Sequence, residues 1–281
     1  MSVASPVNET AGLLLDAEAV GWDCHVHVFD AAAPVRPGHY VPHHSPLAAI
    51  EQQARGQGIG HLVLVQPSVY GTDNAVMLRA LAATPGRHRG VAVVEAGITD
   101  RELDRLHSAG VRGVRFNLVS PAGHDGDVAA DLLRLAPRLR ERGWHVQWYV
   151  PAHELPRLVM LQRHTDLCFV LDHLAGLGAD IPETHPAWGA AQALAAAGAW
   201  IKLSGWYRLG ATAPYTELLP HIRRAAALFG PRMVWGSDWP HTSFSPERLP
   251  PYDSTLLCMR SVFDALQLEA VLHEQPSQLY V

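Results

Sequence analysis

What most constrains this chain is an alternation: short runs of β-branched and apolar residues return from one end to the other, with longer helical patterns between them. Strands are expected at 22–28, 61–66, 90–95, 113–118, 144–150, 168–172, 200–204 and 233–237. Leu62-Val63-Leu64-Val65 and Cys168-Phe169-Val170-Leu171 are apolar on both faces, which a strand tolerates only when neighbours wall it in and helices cover it. Between the runs, Leu132, Leu135 and Leu139 recur at helical spacing, as do Leu218, Ile222, Ala225 and Phe229, so each helix has one stripe to pack on the sheet. The expected fold is therefore α/β, a (β/α)8 TIM barrel of about eight parallel strands.

Local signals agree. Ser45-Pro46 places proline at a first helical turn, and Thr99-Asp100-Arg101-Glu102 spells a capping box. Gly110, Gly143, Gly198 and Gly230 each fall between a helical pattern and a strand, where a left-handed residue ends the helix. No linker or low-complexity tract interrupts the chain, so residues 1–281 read as one domain with 1–18 as an N-terminal extension. The segment 31–45, rich in Pro and His, reads as a long loop able to fold over the barrel mouth.

Composition excludes several partners. The net charge is −5 with no Lys/Arg cluster, so nothing gathers a nucleic acid or an anionic membrane surface. No apolar run reaches the length of about 18 residues that spans a bilayer, and the first residues lack a secretory pattern, so a cytoplasmic location is expected. Cys24, Cys168 and Cys258 are too scattered for a disulfide framework or a thiolate zinc site. A small-molecule partner is expected, and a homo-oligomer is allowed.

Polar residues gather where the runs end. Strand one ends in Asp23-Cys24-His25-Val26-His27, and side chains two apart share a face, so His25 and His27 can both enter the mouth. Later runs end in Gln66-Pro67-Ser68-Val69-Tyr70, Arg115-Phe116-Asn117, Gln147-Trp148-Tyr149, Asp172-His173, Ser204-Gly205-Trp206-Tyr207-Arg208 and Ser237-Asp238-Trp239-Pro240-His241. In a parallel barrel that rim carries the chemistry. With 17 His among 281 residues a His-x-His pair arises by chance about once, so position rather than the motif carries the weight. Singly, Asp238 could be an N-cap, Arg115 and Arg208 could be structural ion-pair partners, and Tyr70 and Tyr149 could be core. His107, His145, His153, His164, His221 and His273 read as surface residues.

Taken together, Trp22-Asp23-Cys24-His25-Val26-His27-Val28-Phe29, Gly71-Thr72-Asp73-Asn74, Gly113-Val114-Arg115-Phe116-Asn117, Asp172-His173 and Trp235-Gly236-Ser237-Asp238-Trp239-Pro240-His241 resemble the lactonase branch of the amidohydrolase superfamily, the group of 2-pyrone-4,6-dicarboxylate lactonase. That resemblance implies a barrel hydrolase opening a cyclic ester in the breakdown of aromatic compounds or sugars. It maps the acid-base aspartate to Asp238, the site histidines to His25, His27 and His173, the tyrosine to Tyr149 and the carboxylate-binding arginines to Arg115 and Arg208. Ser68, Asn117, Tyr70 and His241 complete the expected substrate contacts.

The chain departs from that group at two places. No arginine follows Arg115-Phe116-Asn117 in Leu118-Val119-Ser120-Pro121, and none follows Asp172-His173 in Leu174-Ala175-Gly176-Leu177. Two guanidinium forks are missing, so a lactone with one carboxylate or fewer strong anionic groups is expected. Strand four offers Arg115 and Asn117 and strand five Gln147 and Tyr149 in place of the superfamily's bridging Lys or Glu and its His. A binuclear centre is thus unexpected. A metal-free site is favoured, with one zinc or other divalent ion on His25, His27 and Asp238, joined by His173, as the alternative. The rival activities are a metal-dependent decarboxylase, which would want a strand-five histidine, and a lactone isomerase, which would use the same residues. A barrel that binds without turnover is the rival from another class.

Overall fold

The computed structural model describes residues 19–37 and 40–281, and the expected extension at 1–18 lies outside them. Every expected strand forms: β1 (Gly21–Val26), β2 (Ile59–Val65), β3 (Arg89–Ala92), β4 (Val111–Asn117), β5 (His145–Tyr149), β6 (Phe169–Leu171), β7 (Trp200–Leu203) and β8 (Met233–Trp235). They pair in parallel, in chain order, as one eight-stranded sheet. The sheet curls until its edges meet: Val26 bridges Trp239 in parallel, and Asp238 N donates to His25 O at 2.9 Å.

The helices α1 (Leu47–Arg55), α2 (Ala75–Ala83), α3 (Asp100–Ser108), α4 (Val128–Glu141), α5 (Leu155–Thr165), α6 (Ala187–Ala196) and α7 (Leu219–Phe229) alternate with the strands. Three short C-terminal helices follow: α8 (Ser254–Met259), α9 (Ala265–Glu269) and α10 (Gln275–Tyr280). The sequence patterns place their faces, since α4 buries Leu132, Leu135 and Leu139, and α7 buries Ile222, Ala225 and Phe229. Removing those stripes from water is the main stabilising term, about 1.5–3 kcal/mol for each Leu or Ile fully buried. The capping box of α3 is formed in both directions between Thr99 and Glu102. At α1 the proline sits one position earlier than expected, as Pro46 precedes the helix.

Inside the barrel, Trp22, Cys24, Val63, Val65, Val170 and Val234 form an apolar plug with Tyr280 of α10. The Tyr280 ring lies 6.0 Å from Trp22 and 5.3 Å from His145, closing the N-terminal end of the strands. His145 corrects the expectation of a surface residue: it is 2 % exposed, because it opens β5 facing inward across from Gly113. A Cβ on Gly113 would stand 2.6 Å from its ring. His153 and His164 are exposed as expected, whereas His107, His221 and His273 are half-buried. Cys24 and Cys258 are buried and Cys168 half-buried, all as free thiols. No helix among the described residues is long and apolar enough to cross a membrane.

β6 and β8 stop earlier than the apolar runs suggest. The chain leaves the ladder at the open rim, where His173 and Asp238 adopt left-handed backbone, φ 49° and 62°. Such conformations cost on the order of 1 kcal/mol in non-glycine residues and cluster where the surrounding fold must aim a side chain.

Candidate active site

A break in strand parity brings the first two histidines inward. Trp22 and Cys24 face the barrel interior, so simple alternation would send His25 outward. A register irregularity between Asp23 and Val26 reverses the phase: Val26 joins the outer core while His25 and His27 face the mouth. Asp23 holds this bulge. Its carboxylate accepts from His25 N (3.1 Å), Ser237 N (2.9 Å) and the Tyr252 hydroxyl (2.8 Å), and burial pushes its pKa up to about 6. Gly236 is needed opposite, since a Cβ there would meet the His25 Cβ at 2.5 Å.

His25 lies between two buried carboxylates. Its Nδ1 is 3.3 Å from Asp172 Oδ1 and its Nε2 3.7 Å from Asp238 Oδ1. Burial pushes its pKa well down, so the ring is neutral and carries one N–H. Its other nitrogen therefore presents a lone pair to a carboxylate. The Nδ1 of His27 lies 2.8 Å from Val65 O, which can only accept, so that nitrogen carries a proton, and Nε2 faces Asp238 Oδ1 at 3.5 Å. The His173 ring packs 4.8 Å from that of His25, and its Nδ1 meets Ser204 Oγ at 3.0 Å. Burial brings its pKa to about 4. Gly205 leaves room for this ring, as a Cβ there would stand 2.3 Å from Nδ1.

Asp238 has divided oxygens. Oδ2 accepts from Arg208 Nε at 2.5 Å and Tyr207 OH at 2.6 Å, whereas Oδ1 has no hydrogen bond and faces the two imidazoles. Burial alone would raise its pKa, but the Arg208 guanidinium outweighs that and holds it well below the carboxylate range. Asp238 is an ionised acceptor with one vacant oxygen.

Above this cluster opens a cleft of about 230 Å³, whose lining includes His27, Ser68, Arg115, Tyr149, His173 and Arg208. Asn117 lines it too, with Oδ1 accepting from Val119 N and Ser120 N, and Ser68 pairs with Ser120 at 2.9 Å. Tyr149 stands edge-on to His173 at 4.7 Å, with Arg115 over its face at 5.4 Å. Tyr40 brings the long loop after β1 to the mouth. The strand ends therefore meet around one cavity, as the sequence suggests.

Three expectations need correction. Arg115 and Arg208 reach the cleft, but neither is a free anion clamp: Arg115 Nε is bonded to Asp172 Oδ2 at 3.0 Å as Arg208 Nε is to Asp238. Only their terminal amino groups can face a ligand. Tyr70 does not line the cleft; it packs on Phe29 and shares hydrogen bonds with the Asp30 backbone. His241 lies behind the cleft, 2 % exposed, with its ring 5.7 Å from Tyr207. Both residues follow strand ends on turns that point back into the wall, which strand-end position alone does not distinguish from the mouth.

Two neighbours of the cluster carry no mark in the sequence reading. Tyr207 was hidden as one aromatic beside Arg208. Lys202, wholly buried on β7, donates to Gln147 Oε1 (2.6 Å) and Cys24 O (2.8 Å), and its signal was that it is the chain's single lysine.

Two groups of side chains could hold a metal, His25 with His27 and Asp238, and His25 with Asp172 and His173, the ligand atoms of each lying within 4.8 Å. The first fits better. Its His27 Nε2 and Asp238 Oδ1 lie 3.5 Å apart, and both Asp238 Oδ1 and the His25 ring nitrogens lack a hydrogen bond. Asp172, in contrast, is already ringed by Arg115, Gln147 and Lys202.

The comparisons agree with this geometry. The sequence model of the family described as amidohydrolase matches residues 22–280. The chain is 34% identical over 235 residues to a 2-pyrone-4,6-dicarbaxylate hydrolase of Comamonas testosteroni, covering 78% of this chain and 76% of the relative. It is 30% identical to a 4-sulfomuconolactone hydrolase of Rhizobium radiobacter, over 92% of this chain and 89% of that one. A solved structure of a candidate 2-pyrone-4,6-dicarboxylic acid hydrolase from Pseudomonas putida superposes with a TM-score of 0.81 at 32% identity, covering 93% of this chain and 97% of the other.

Proposed function

The chain belongs to the amidohydrolase family, and from that premise we propose that it is a hydrolase that opens a single-ring lactone carrying one carboxylate. The observation that carries this reading is the vacant Oδ1 of Asp238, ionised and buried directly behind His27 and Arg208, which line a cleft together with His173 and Arg115. The cleft volume suits one ring rather than a peptide or oligosaccharide.

The substrate carboxylate would meet the terminal amino groups of Arg115, which donates to protein only through Nε among the described residues. The lactone carbonyl would face His27 and His173. A water oxygen adds to the carbonyl carbon as its proton passes to Asp238 Oδ1, and the ring C–O bond then breaks as that proton goes to the leaving oxygen. Arg208 and Tyr207 hold Asp238 by its other oxygen, so the basic atom is fixed in direction. The new carboxylic acid releases its proton to solvent.

His25, His27 and Asp238 each bring one ligand atom close enough for a single divalent cation. His25, His27 and Asp238 would hold that cation, which when bound polarises the carbonyl and acidifies its water. Decarboxylation fits less well, because strand five presents Gln147 and Tyr149 to the site and its histidine, His145, lies at the opposite end of the barrel.

A pH-indicator screen of monocarboxylate, dicarboxylate and sugar lactones tests the reading. Proton release should be fastest with a carboxylated monocyclic lactone. Faster turnover of a doubly charged pyrone than of any singly charged ring would refute the substrate class, and silence across the panel would refute hydrolysis.

A further inference from the structure

Of the 22 lysine and arginine residues only Lys202 is a lysine, and it is wholly buried inside the barrel beneath the catalytic cluster. Its Nζ lies 2.6 Å from Gln147 Oε1, 2.8 Å from Cys24 O and 3.6 Å from Asp172 Oδ1. The nitrogen donates to Gln147 Oε1 and Cys24 O and forms an ion pair with Asp172. Burial opposes its charge, and Asp172 supports it.

This ammonium decides which way the Gln147 amide points. Its oxygen faces Lys202, so its Nε2 donates to Asp172 Oδ2 at 2.9 Å. A flipped amide would set NH2 against NH3+, two donors face to face. Arg115 Nε occupies the same Asp172 oxygen at 3.0 Å, so Oδ1, without a hydrogen bond of its own, is the carboxylate oxygen nearest the His25 ring, 3.3 Å from Nδ1 against 3.7 Å from Nε2 to Asp238. The second bond of Lys202 grips Cys24 O, the residue before His25, at the irregularity that turns His25 inward.

We infer that Lys202 is a positioning residue: through Gln147 and Asp172 it holds the His25 proton on Nδ1, so that Nε2 turns its lone pair to Asp238 and the reaction centre. The kinetic part of this inference rests on the proposed lactone hydrolysis, whereas the tautomer stands on geometry alone. An arginine would overfill the interior, where a compact ammonium fits between two strands and a carbonyl.

The test uses the full chain labelled with 15N-histidine, the His25 signals being assigned by their loss in His25→Gln. Wild type should show the Nδ1–H tautomer at neutral pH, and 15N-lysine labelling should give one ammonium resonance. In Lys202→Met the His25 signals should shift toward a mixture of tautomers, with kcat falling about 10–100-fold and KM changing less than about threefold. Gln147→Met keeps the lysine and breaks the relay, so it should reproduce both effects even where Lys202→Met does not fold. The double variant should be no slower than the slower single one by more than about threefold, since the two act in series. An Nε2–H tautomer in wild type, or a folded variant that keeps both the Nδ1–H tautomer and wild-type kcat, overturns the role. Absence of any lactone turnover would instead remove the functional reading and leave the spectroscopic arm to decide.

Discussion

Arg208 Nε lies 2.5 Å from Asp238 Oδ2, so the guanidinium at the cleft wall is first a partner of the buried carboxylate, and only its terminal amino groups face the cleft. Replacing Arg208 with Met strands a buried anion, which costs about 3–5 kcal/mol. Urea unfolding should show that loss, and kcat should fall at least about 100-fold as Asp238 loses its direction. Tyr207→Phe, which leaves the arginine in place, should cost about 1 kcal/mol and less activity. Equal small effects from both variants would contradict the arrangement.

Arg115 should behave differently. Its Nε serves Asp172 while its amino groups are open to the cleft, so Arg115→Lys removes the fork but keeps a charge. Steady-state kinetics should show KM rising about 10–100-fold for a carboxylated lactone and far less for a neutral one. An equal rise for both would remove Arg115 from carboxylate recognition.

Stability should fall in mild acid. Burial brings His145 to about 3 and His241 to about 4, below the ordinary imidazole value of 6.5. Their unfolded forms therefore bind protons that the folded forms refuse. The stability they contribute is complete above pH about 6.5 and is lost as pH falls toward the folded values, at about 1.4 kcal/mol per pH unit for each ring. Asp23 acts in the opposite sense between about 4 and 6, as its raised pKa favours the folded state at low pH, but it is one group against these two and the likewise lowered His25 and His173. Urea titrations between pH 7 and 5 should show a falling midpoint, flattened in His241→Asn. A midpoint that rises on acidification would contradict the burial of these rings.

Metal content should not exceed one ion per chain. The Asp172 carboxylate that a second ion would need is bonded to Arg115 and Gln147 with Lys202 beside it. Elemental analysis after purification with added zinc should give at most one equivalent, lost in His27→Asn. Two equivalents would contradict the charge distribution of the site.

The fold was legible because its strands are apolar on both faces and its helices carry one stripe, a pattern few architectures satisfy. The quartet of His25, His27, His173 and Asp238 was legible for a related reason, that rim residues follow directly on those runs. What could not be read was direction. Tyr70 and His241 follow strand ends yet turn into the wall, and His145 stands at the start of a strand, where an inward imidazole leaves no periodic mark. The pairing of Arg208 with Asp238 joins residues thirty positions apart through a left-handed turn that no local pattern announces. Lys202 is a lone lysine in the sequence, but only the fold shows that Gln147, Cys24 and Asp172 surround it.

Asp238→Asn tests the account most directly, because asparagine keeps an oxygen for Arg208 and Tyr207 but cannot take a proton from water. With the best lactone from the screen, kcat should fall at least about 1,000-fold while calorimetric binding of the ring-opened product stays within about threefold. Turnover within tenfold of wild type in a folded Asn variant would show that Asp238 is not the base.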